Sequence, residues 1–283
     1  MMTERDAETS EEEEGARRLV IDADFPSQWF DLEDLIAKTI CQAAVFRREC
    51  SSTNDLALKL AASADPMPLL VVTDCQTGGR GRGSNTWWAR EGALTFSVLL
   101  DPSRFGIESS AWPLVSLTTA IAVADTLSEF CSTSSVGLKW PNDVHLSGKK
   151  VCGILVEPAR GVENRLVIGV GVNVLNSLEA APDEIRGIAT SIVDETGDEY
   201  SPGEFLLSLL RHLEDGLKTL GAGRLDIRSR WAEQCVLAGQ QISLESGNHL
   251  VEGRCAGVDT TGAILIESEG LTKAWFGGVV RAT

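Results

Sequence analysis

The sequence has few of the residues from which metal and nucleophile sites are commonly built. Only three histidines occur in 283 residues, and the seven cysteines are odd in number, scattered and without a C-x-x-C pair. This usage predicts free thiols in a reducing compartment and argues against a disulfide framework or a zinc site. His145, His212 and His249 lie far apart in the chain, so a histidine-based catalytic site has no local support.

Long apolar runs and a surplus of basic charge are also missing. No run approaches the roughly 18 apolar residues that a membrane span needs, and the acidic N-terminus has no apolar secretory segment. Acidic residues number 41 and basic residues 25, which gives a formal net charge of −16. Nonspecific nucleic-acid binding needs basic surface instead. We therefore expect a cytoplasmic protein that binds neither membrane nor nucleic acid, with a disordered acidic tail over residues 1–18.

The common phosphate-binding and hydrolase motifs are incomplete. Gly78 and Gly83 have the spacing of a Walker loop, but Ser84 stands where that motif has lysine. The run GVGVN lacks the third glycine of a dinucleotide-binding fingerprint. No G-x-S-x-G motif is present. The sequence gives no support for a P-loop, a Rossmann dinucleotide site or a serine-hydrolase elbow.

What the sequence does contain is a succession of strand and helix patterns over residues 19–233. The stretches before residue 50 are not assigned by pattern, but PLLVVTDCQ, GALTFSVLL, KKVCGILVEP and RLVIGVGVNV are typical of buried strands. VGLKWPNDVHL resembles one strand interrupted at Pro141. Helices are predicted at SSTNDLALKLAAS, AWPLVSLTTAIAVADTLSEF and SPGEFLLSLLRHLEDGLKTLG, the last with Ser201 as its N-cap.

The pattern changes at about residue 234. Short alternating runs such as QISLE and AILIES follow, separated by turn residues such as DTTG. This pattern predicts a small β-barrel over residues 234–283. The predicted fold is therefore α+β, with a larger domain over residues 19–233 followed by that barrel.

Four polar stretches border the predicted strands of the larger domain. They are SSTN (residues 51–54), GRGR (79–82), KWPND (139–143) and SGKKVCG (147–153). Each has a purely structural alternative: a helix cap, a solvated loop, a tight turn around a buried tryptophan, and a hairpin whose lysines face water. Strand ends can also gather such stretches into one pocket. Glycines alternating with arginines would supply backbone donors and positive charge for an anion there.

The order of these motifs resembles the biotin–protein ligases. STN, QTGGRGRG followed by Trp87, KWPNDV, KKVCGILVE and IGVGVN occur here in the order of that family. The resemblance covers about residues 50–283. It implies a mixed sheet flanked by helices, of the type shared with class II aminoacyl-tRNA synthetases, and a C-terminal SH3-like β-barrel.

The resemblance also implies a two-step reaction. Biotin and MgATP would give biotinyl-5′-AMP and pyrophosphate, and a lysine of a biotin carboxyl carrier domain would then take the biotinyl group. ATP and Mg²⁺ are the implied cofactors, and biotin is a substrate. A lipoate- or octanoate–protein ligase of the same superfamily and a non-catalytic biotin- or nucleotide-binding module are the alternatives.

The family's site residues carry over position by position. Lys150, Arg82 and Arg80 are the implied catalytic residues, with Arg82 closing the loop over the adenylate, and Asp143 is the implied magnesium ligand. The biotin-binding set is Ser52, Thr53, Asn54, Gln76, Gly79, Arg80, Lys150, Gly153, Leu155 and Gly169. The nucleotide-binding set is Arg82, Trp87, Asn142, Asp143, Lys150, Asn173 and Arg281.

Two departures from the family pattern affect these expectations. Residues 83–86, GSNT, follow GRGR where many bacterial members have further basic residues, so fewer cations are present for the triphosphate. Only fifty residues precede SSTN, so we expect no winged-helix DNA-binding domain and no transcriptional repression. The oligomeric state, monomer or homodimer, stays open.

Overall fold

The computed structural model of the protein describes residues 18–21 and 27–282. The predicted acidic tail therefore lies outside the described residues except for its last position. That position, Arg18, is the first residue of the first strand, and the predicted domain boundaries stay predictions.

A mixed eight-stranded sheet forms the centre of the larger domain. Its order is β1-β2-β3-β4-β8-β7-β6-β5, with β1, β2 and β3 parallel and the other neighbours antiparallel. All side chains of β4 and β8 are buried, as expected for central strands covered on both faces. The strands are β1 Arg18–Ile21, β2 Ala43–Cys50, β3 Leu69–Gln76, β4 Ala93–Leu100, β5 Val136–Lys139, β6 Asp143–Leu146, β7 Lys149–Pro158 and β8 Leu166–Asn173.

The stretch predicted as one interrupted strand at Pro141 is a hairpin. β5 and β6 pair antiparallel, with Lys139 opposite Asp143, and the turn between them contains a cis Trp140–Pro141 peptide bond. Trp140 is buried, and its Nε1 donates to the carbonyl oxygen of Gly262 at 2.9 Å. The prediction missed the reversal of direction because both arms of the hairpin have the same alternating pattern.

Helices cover the sheet. They are α1 Leu32–Lys38, α2 Thr53–Leu60, α3 Trp112–Phe130, α4 Asp183–Arg186, α5 Ile192–Thr196, α6 Pro202–Gly221 and α7 Ile227–Ala232. The predicted N-cap of α6 is confirmed, since the Ser201 side chain accepts from the N–H of Glu204. α6 packs on α3 and ends where a Cβ on Gly221 would meet the carbonyl oxygen of Phe105. Leu206, Leu210, Leu213 and Leu217 are buried along its inner face.

One described helix is long and apolar enough to cross a membrane. Residues Ser109–Phe130 have a mean hydropathy of 1.2 over the most apolar window, of which 61% is buried inside the fold. The sequence analysis stated that no apolar run approaches the length of a membrane span. By length and mean hydropathy this helix does, so that statement was wrong. The helix packs against α6, α7, β5, β6 and β7, as the core helix of a globular protein does.

A separate antiparallel sheet forms the C-terminal part of the chain. Its strands are β9 Gln241–Ser246, β10 His249–Val258, β11 Ile264–Ser268, β12 Leu271–Trp275 and β13 Val279–Ala282, in the order β12-β11-β10-β9-β13. The predicted DTTG turn joins β10 to β11, and the Asp259 carboxylate accepts from the N–H groups of Thr261 and Ala263. A small C-terminal β domain is thus confirmed, and its SH3-like closure stays a prediction.

All seven cysteines lie in the described ranges and are free. Cys41, Cys131, Cys152 and Cys255 are buried, and the other three are half-buried. Burial raises the pKa of Cys41 to about 12, so this thiol stays protonated at neutral pH. The prediction of free thiols is confirmed for the structure described.

The contact between α6 and α3 yields a stability prediction. Leu213→Ala should lower the free energy of unfolding by about 2–5 kcal/mol, because it removes a fully buried side chain and leaves a cavity. Urea denaturation measures the loss. The matched control is Leu220→Ala on the same helix, where the leucine is only partly buried, and its loss should be smaller. Equal losses would contradict the packing described.

Candidate active site

A cavity of about 430 Å³ opens between the two sheets. All four polar stretches singled out in the sequence contribute to its wall, together with the backbone of β7 and β8 and the segment 278–280 at the start of β13. Of the predicted site residues, thirteen line it: Ser52, Thr53, Asn54, Gln76, Arg80, Arg82, Trp87, Asn142, Asp143, Lys150, Gly153, Leu155 and Gly169.

Three glycines on one face of the paired strands β7 and β8 make part of the floor of the cavity. In the β7–β8 ladder Gly153 lies opposite Gly171, and Leu155 lies opposite Gly169. A Cβ on Gly171 would overlap the indole of Trp87, and one on Gly153 would lie 3.3 Å from the same ring. The glycines therefore let the indole of Trp87 lie directly on the sheet backbone, at the position where the sequence predicts a nucleotide contact.

The glycine–arginine loop is folded back on itself. The N–H of Gly81 donates to the carbonyl oxygen of Asn85 at 2.8 Å, and the N–H of Trp87 donates to that of Gly79 at 2.9 Å. A Cβ on Gly79 would lie 2.5 Å from the carbonyl oxygen of Trp87. This close approach explains the glycine at position 79. The loop is thus an ordered wall of the cavity, not the solvated loop of the structural alternative.

Arg80 lies between two carboxylates that the sequence analysis did not identify. Its guanidinium donates to both oxygens of Glu157, at 3.0 and 2.6 Å, and its Nε lies 2.9 Å from a carboxylate oxygen of Asp55. The hydrogen bonds to Glu157 outweigh partial burial and raise the pKa of Arg80. Its charge is therefore compensated within the protein, and its side chain fixes the loop to β7 and α2.

Lys150 and Lys149 point in different directions along β7. The Lys150 ammonium lies 2.6 Å from a carboxylate oxygen of Asp143 and 5.9 Å from the centre of the Trp87 ring, and it faces the cavity. Lys149 points outward, 3.5 Å from Glu195. The alternative in which both lysines face water is thus excluded. Lys150 is the one ammonium group of this hairpin that a ligand in the cavity can reach.

Arg82 is held by weak contacts to both sheets. Its Nη1 lies 3.5 Å from the side-chain oxygen of Asn142 and 3.5 Å from the carbonyl oxygen of Gly278. Burial lowers its pKa, although a guanidinium remains charged at neutral pH. No carboxylate within the described ranges forms an ion pair with it. Arg82 is thus the arginine of the loop whose charge is available to an incoming anion.

Asn142 is anchored to β7 by its backbone and side chain. Its Nδ2 donates to the carbonyl oxygen of Ile154 at 2.7 Å, and its own carbonyl oxygen accepts from the N–H of Ile154 at 3.1 Å. Its side-chain oxygen is left facing Arg82 and the cavity. Asn142 thereby fixes the turn that also presents Asp143.

Three predicted site residues do not line the cavity. Gly79 is buried within the loop, and Asn173 is buried with its Nδ2 donating to the carbonyl oxygen of Thr190 at 2.9 Å. The Asn173 side-chain oxygen accepts from Asn176 at 3.0 Å. Arg281 is exposed and lies 3.2 Å from a carboxylate oxygen of Glu245. The roles assigned to these three positions stay predictions.

Sequence reasoning missed Asp55, Ser97 and Glu157. Ser97 is a hydroxyl inside the apolar run of β4, and its Oγ lies 2.7 Å from Asn54 Oδ1 and 2.8 Å from Thr53 Oγ1. A buried polar residue in such a strand is a signal that could have found it, because buried polar groups need hydrogen-bond partners. Asp55 and Glu157 carry no local signal, since their partner Arg80 is distant in sequence.

The cavity has groups for a magnesium ion that is bound partly by substrate phosphates, but not for one held by the protein alone. Asp143 supplies a carboxylate and Asn142 an amide oxygen, whereas Mg²⁺ is usually bound by one or two carboxylates together with substrate phosphates. Within the described residues no group of three or more histidine, cysteine, aspartate or glutamate side chains could hold a metal. Asp143 therefore fits a metal that enters with a nucleotide.

Comparison with known proteins places this arrangement in a family. Residues 45–173 match the model of the Biotin/lipoate A/B protein ligase family. The chain is 31% identical to the bifunctional ligase/repressor BirA of Bacillus spizizenii over 83% of this chain and 72% of that protein. It is 30% identical to the biotin–[acetyl-CoA-carboxylase] ligase of Paracoccus denitrificans over 76% and 90% of the two chains.

A solved structure with both small molecules bound has the same fold. The biotin protein ligase from Aquifex aeolicus in complex with biotin and ATP superposes with a TM-score of 0.75 and 28% identity, covering 85% of this chain and 99% of that one. The family model and the sequence relatives show that the chain belongs to the biotin/lipoate A/B protein ligase family.

Proposed function

We propose that this protein is a biotin–protein ligase that activates biotin with MgATP and transfers it to a lysine of a biotin carboxyl carrier domain. The observation that carries the proposal is the convergence of Lys150 and Arg82 on one cavity. The other end of this cavity is lined by the hydroxyls and amides of Thr53, Asn54 and Gln76. One end thus suits anions, and the other suits a polar ring.

The reaction requires positive charge because it brings a carboxylate against a triphosphate. At about 4 Å each pair of unit charges repels by ~1 kcal/mol in water and by ~4 kcal/mol at an effective dielectric constant near 20. Since Glu157 and Asp55 compensate Arg80, we assign Arg82 and Lys150, rather than Arg80, to offset this repulsion. Lys139 also lines the cavity. A lysine is a compact charge with three donors, which suits the point where two anions meet.

In the first step a carboxylate oxygen of biotin attacks the α-phosphorus of ATP. The new P–O bond forms as the bond to the pyrophosphate oxygen breaks. Lys150 serves this step by holding both anions. Backbone N–H groups of the glycine–arginine loop other than that of Gly81, which donates to Asn85, add donors without bulk. This mode of catalysis consists of positioning and electrostatic stabilisation. Magnesium enters as part of the substrate MgATP, with Asp143 as the carboxylate that it would meet.

In the second step the amine of an acceptor lysine attacks the carbonyl carbon of the adenylate. A C–N bond forms, the C–O bond to AMP breaks, and the amine loses a proton. Until then the anhydride must be kept from water. Arg82 connects the glycine–arginine loop to Gly278 in the C-terminal part of the chain. It therefore holds this loop over the cavity and keeps water out. The carrier domain of a biotin-dependent carboxylase is the partner that fits this chemistry.

The names of the relatives favour biotin over lipoate. The Paracoccus denitrificans relative is named for biotin transfer to acetyl-CoA carboxylase, and the Aquifex aeolicus structure contains biotin and ATP. The free thiols favour a reducing compartment, and we place the protein in the cytoplasm.

The function is tested by incubating the protein with biotin, MgATP and a carrier domain and measuring intact mass. The carrier should gain one biotinyl group, and omission of ATP should abolish the gain. Exchange of labelled pyrophosphate into ATP should depend on biotin and not on lipoate. Exchange with lipoate alone, or no modification of any carrier, would contradict the proposal.

Lys150→Ala should lower the rate of biotin-dependent pyrophosphate exchange by about 10²–10³-fold, because it removes the ammonium group that offsets anion repulsion in the transition state. Lys149→Ala is the matched control, since the neighbouring lysine points away from the cavity, and it should retain exchange within about twofold. Circular dichroism establishes that both variants fold. A wild-type exchange rate for Lys150→Ala would contradict its role.

Arg82→Gly should still make biotinyl-5′-AMP, because Lys150 remains to hold both anions, but should release it. The substitution removes both contacts of the loop to Asn142 and Gly278, so the adenylate is no longer covered. Biotinylation of exposed lysines on an unrelated bystander protein measures the release. Retention of the adenylate by the variant through gel filtration would show that Arg82 does not cover the cavity.

Gly171→Ala should weaken nucleotide-dependent adenylation by about tenfold or more, because the new methyl group would overlap the Trp87 ring and displace it. Steady-state exchange at varied ATP concentration measures the effect. At Gly187 a Cβ would meet nothing within 4 Å, so Gly187→Ala controls for loss of glycine alone. An unchanged ATP dependence in Gly171→Ala would mean that the indole position is irrelevant.

A further inference from the structure

Behind the hydroxyl and amide end of the cavity, polar side chains form a continuous set of hydrogen bonds. In the sheet Ser97 lies opposite Gly169, and Gly169 lies opposite Leu155, so three neighbouring strands present one row beneath the start of α2. A Cβ on Gly169 would overlap the side-chain oxygen of Asn54. The glycine thus lets Asn54 reach this row.

The amide of Asn54 has only one orientation that satisfies its partners. Its Nδ2 lies 2.8 Å from a carboxylate oxygen of Glu157 and 3.1 Å from the carbonyl oxygen of Leu155. Neither of these oxygens carries a hydrogen, so both hydrogens of Nδ2 are used there. The Asn54 side-chain oxygen must therefore accept, and it accepts from Ser97 Oγ at 2.7 Å.

The orientation of the Asn54 amide also determines which hydrogen bonds the residues facing the ligand can donate or accept. Ser97 has one hydroxyl hydrogen and donates it to Asn54, so the 2.8 Å contact between Ser97 Oγ and Thr53 Oγ1 uses the Thr53 hydrogen. Thr53 has no second hydrogen, so its longer 3.2 Å contact with Gln76 Oε1 is not a hydrogen bond in this arrangement. The oxygen of the Gln76 amide accepts from the backbone N–H of Thr53 at 2.8 Å. Thr53 is left with acceptor lone pairs, and Gln76 is left with its NH₂ donors.

Glu157 anchors both this set and the glycine–arginine loop. The carboxylate oxygen that accepts from Asn54 also accepts from Arg80 at 2.6 Å, and its second oxygen accepts from Arg80 at 3.0 Å. Burial raises the pKa of Glu157, but the hydrogen bonds from Arg80 and Asn54 outweigh it, and the pKa lies below its usual value. Glu157 is therefore ionised at neutral pH and only accepts hydrogen bonds.

We propose that Glu157 is a positioning residue for biotin. We call Glu157, Asn54, Ser97, Thr53 and Gln76 the polar relay. Through it, Glu157 sets an acceptor at Thr53 and a donor at Gln76, which match the N–H and C=O groups of a ureido ring. The Glu157 carboxylate also binds Arg80, so it holds the glycine–arginine loop next to the polar relay. The proposal rests on the proposed function, because it assigns the relay to the ring of that substrate.

The test compares the affinities of Glu157→Gln for biotin and for ATP. A glutamine offers one accepting oxygen and turns an NH₂ group toward Arg80 or Asn54, so the Asn54 amide loses its fixed orientation. The Kd for biotin, measured by calorimetry, should rise about tenfold or more, while the Kd for ATP should stay within about twofold. Glu267→Gln, which breaks an exposed ion pair with Arg254 in the C-terminal sheet, is the control and should change neither.

A second variant tests whether the residues act as one unit. Ser97→Ala interrupts the relay without touching Arg80, and it should also weaken biotin binding selectively. Combined with Glu157→Gln it should add little to the loss of biotin affinity, because either substitution alone already removes the fixed acceptor at Thr53 and donor at Gln76. Ser97→Ala also keeps the proposal testable if Glu157→Gln does not fold. Both single variants should show a smaller preference for biotin over 2-iminobiotin, whose guanidine group lacks the carbonyl acceptor.

The two proposals fail in different ways. If the wild-type protein biotinylates no carrier domain, the proposed function fails. If wild type is active but the variants bind biotin as it does, only the positioning role is overturned. Equal weakening of biotin and ATP binding, or fully additive effects of the two substitutions, would also overturn it, because a general loss of structure would produce that result.

Discussion

A side chain at position 169 or 171 would occupy space that Asn54 and Trp87 already fill. This constraint organises the whole cavity. Because β7 and β8 have glycines at positions 153, 169 and 171, an amide from α2 and an indole from the glycine–arginine loop rest directly on the sheet. The amide end and the anion end of the cavity are thereby held side by side on two neighbouring strands.

Three of the cations that line the cavity, Arg80, Arg82 and Lys150, differ in how far the protein compensates their charge. Two carboxylates hold Arg80, and one lies beside Lys150, whereas Arg82 has no ion-pair partner in the part of the chain described here. Arg80 thus acts as a structural connection between loop and sheet. A substrate anion must compete with Asp143 for Lys150. In a chain of net charge −16, such pairing keeps the cations in place before substrate arrives.

The two sheets share the cavity even though the sequence separates them at about residue 234. Trp140 donates across the boundary to Gly262, and Arg82 reaches Gly278. The segment 278–280 forms part of the wall. The C-terminal sheet therefore supplies one side of the site and is not only an appended module. An indole and a guanidinium make these connections because both are long side chains with N–H donors that reach a backbone carbonyl oxygen on the other sheet.

Sequence alone determined the class of this protein: the strand and helix pattern predicted an α+β domain, and the order of five short motifs indicated the family and thirteen of the residues that line the cavity. Periodicity fixes which residues are buried and how long each element is, so these features follow from local pattern. Tertiary structure decided the rest. It paired Arg80 with Glu157, placed Ser97 beside Asn54, directed Lys150 inward and Lys149 outward, and left Asn173 and Arg281 outside the cavity. Those outcomes depend on strand register and on contacts between residues far apart in the chain, because the direction of a side chain and the partner of a charge are set only when distant elements pack together.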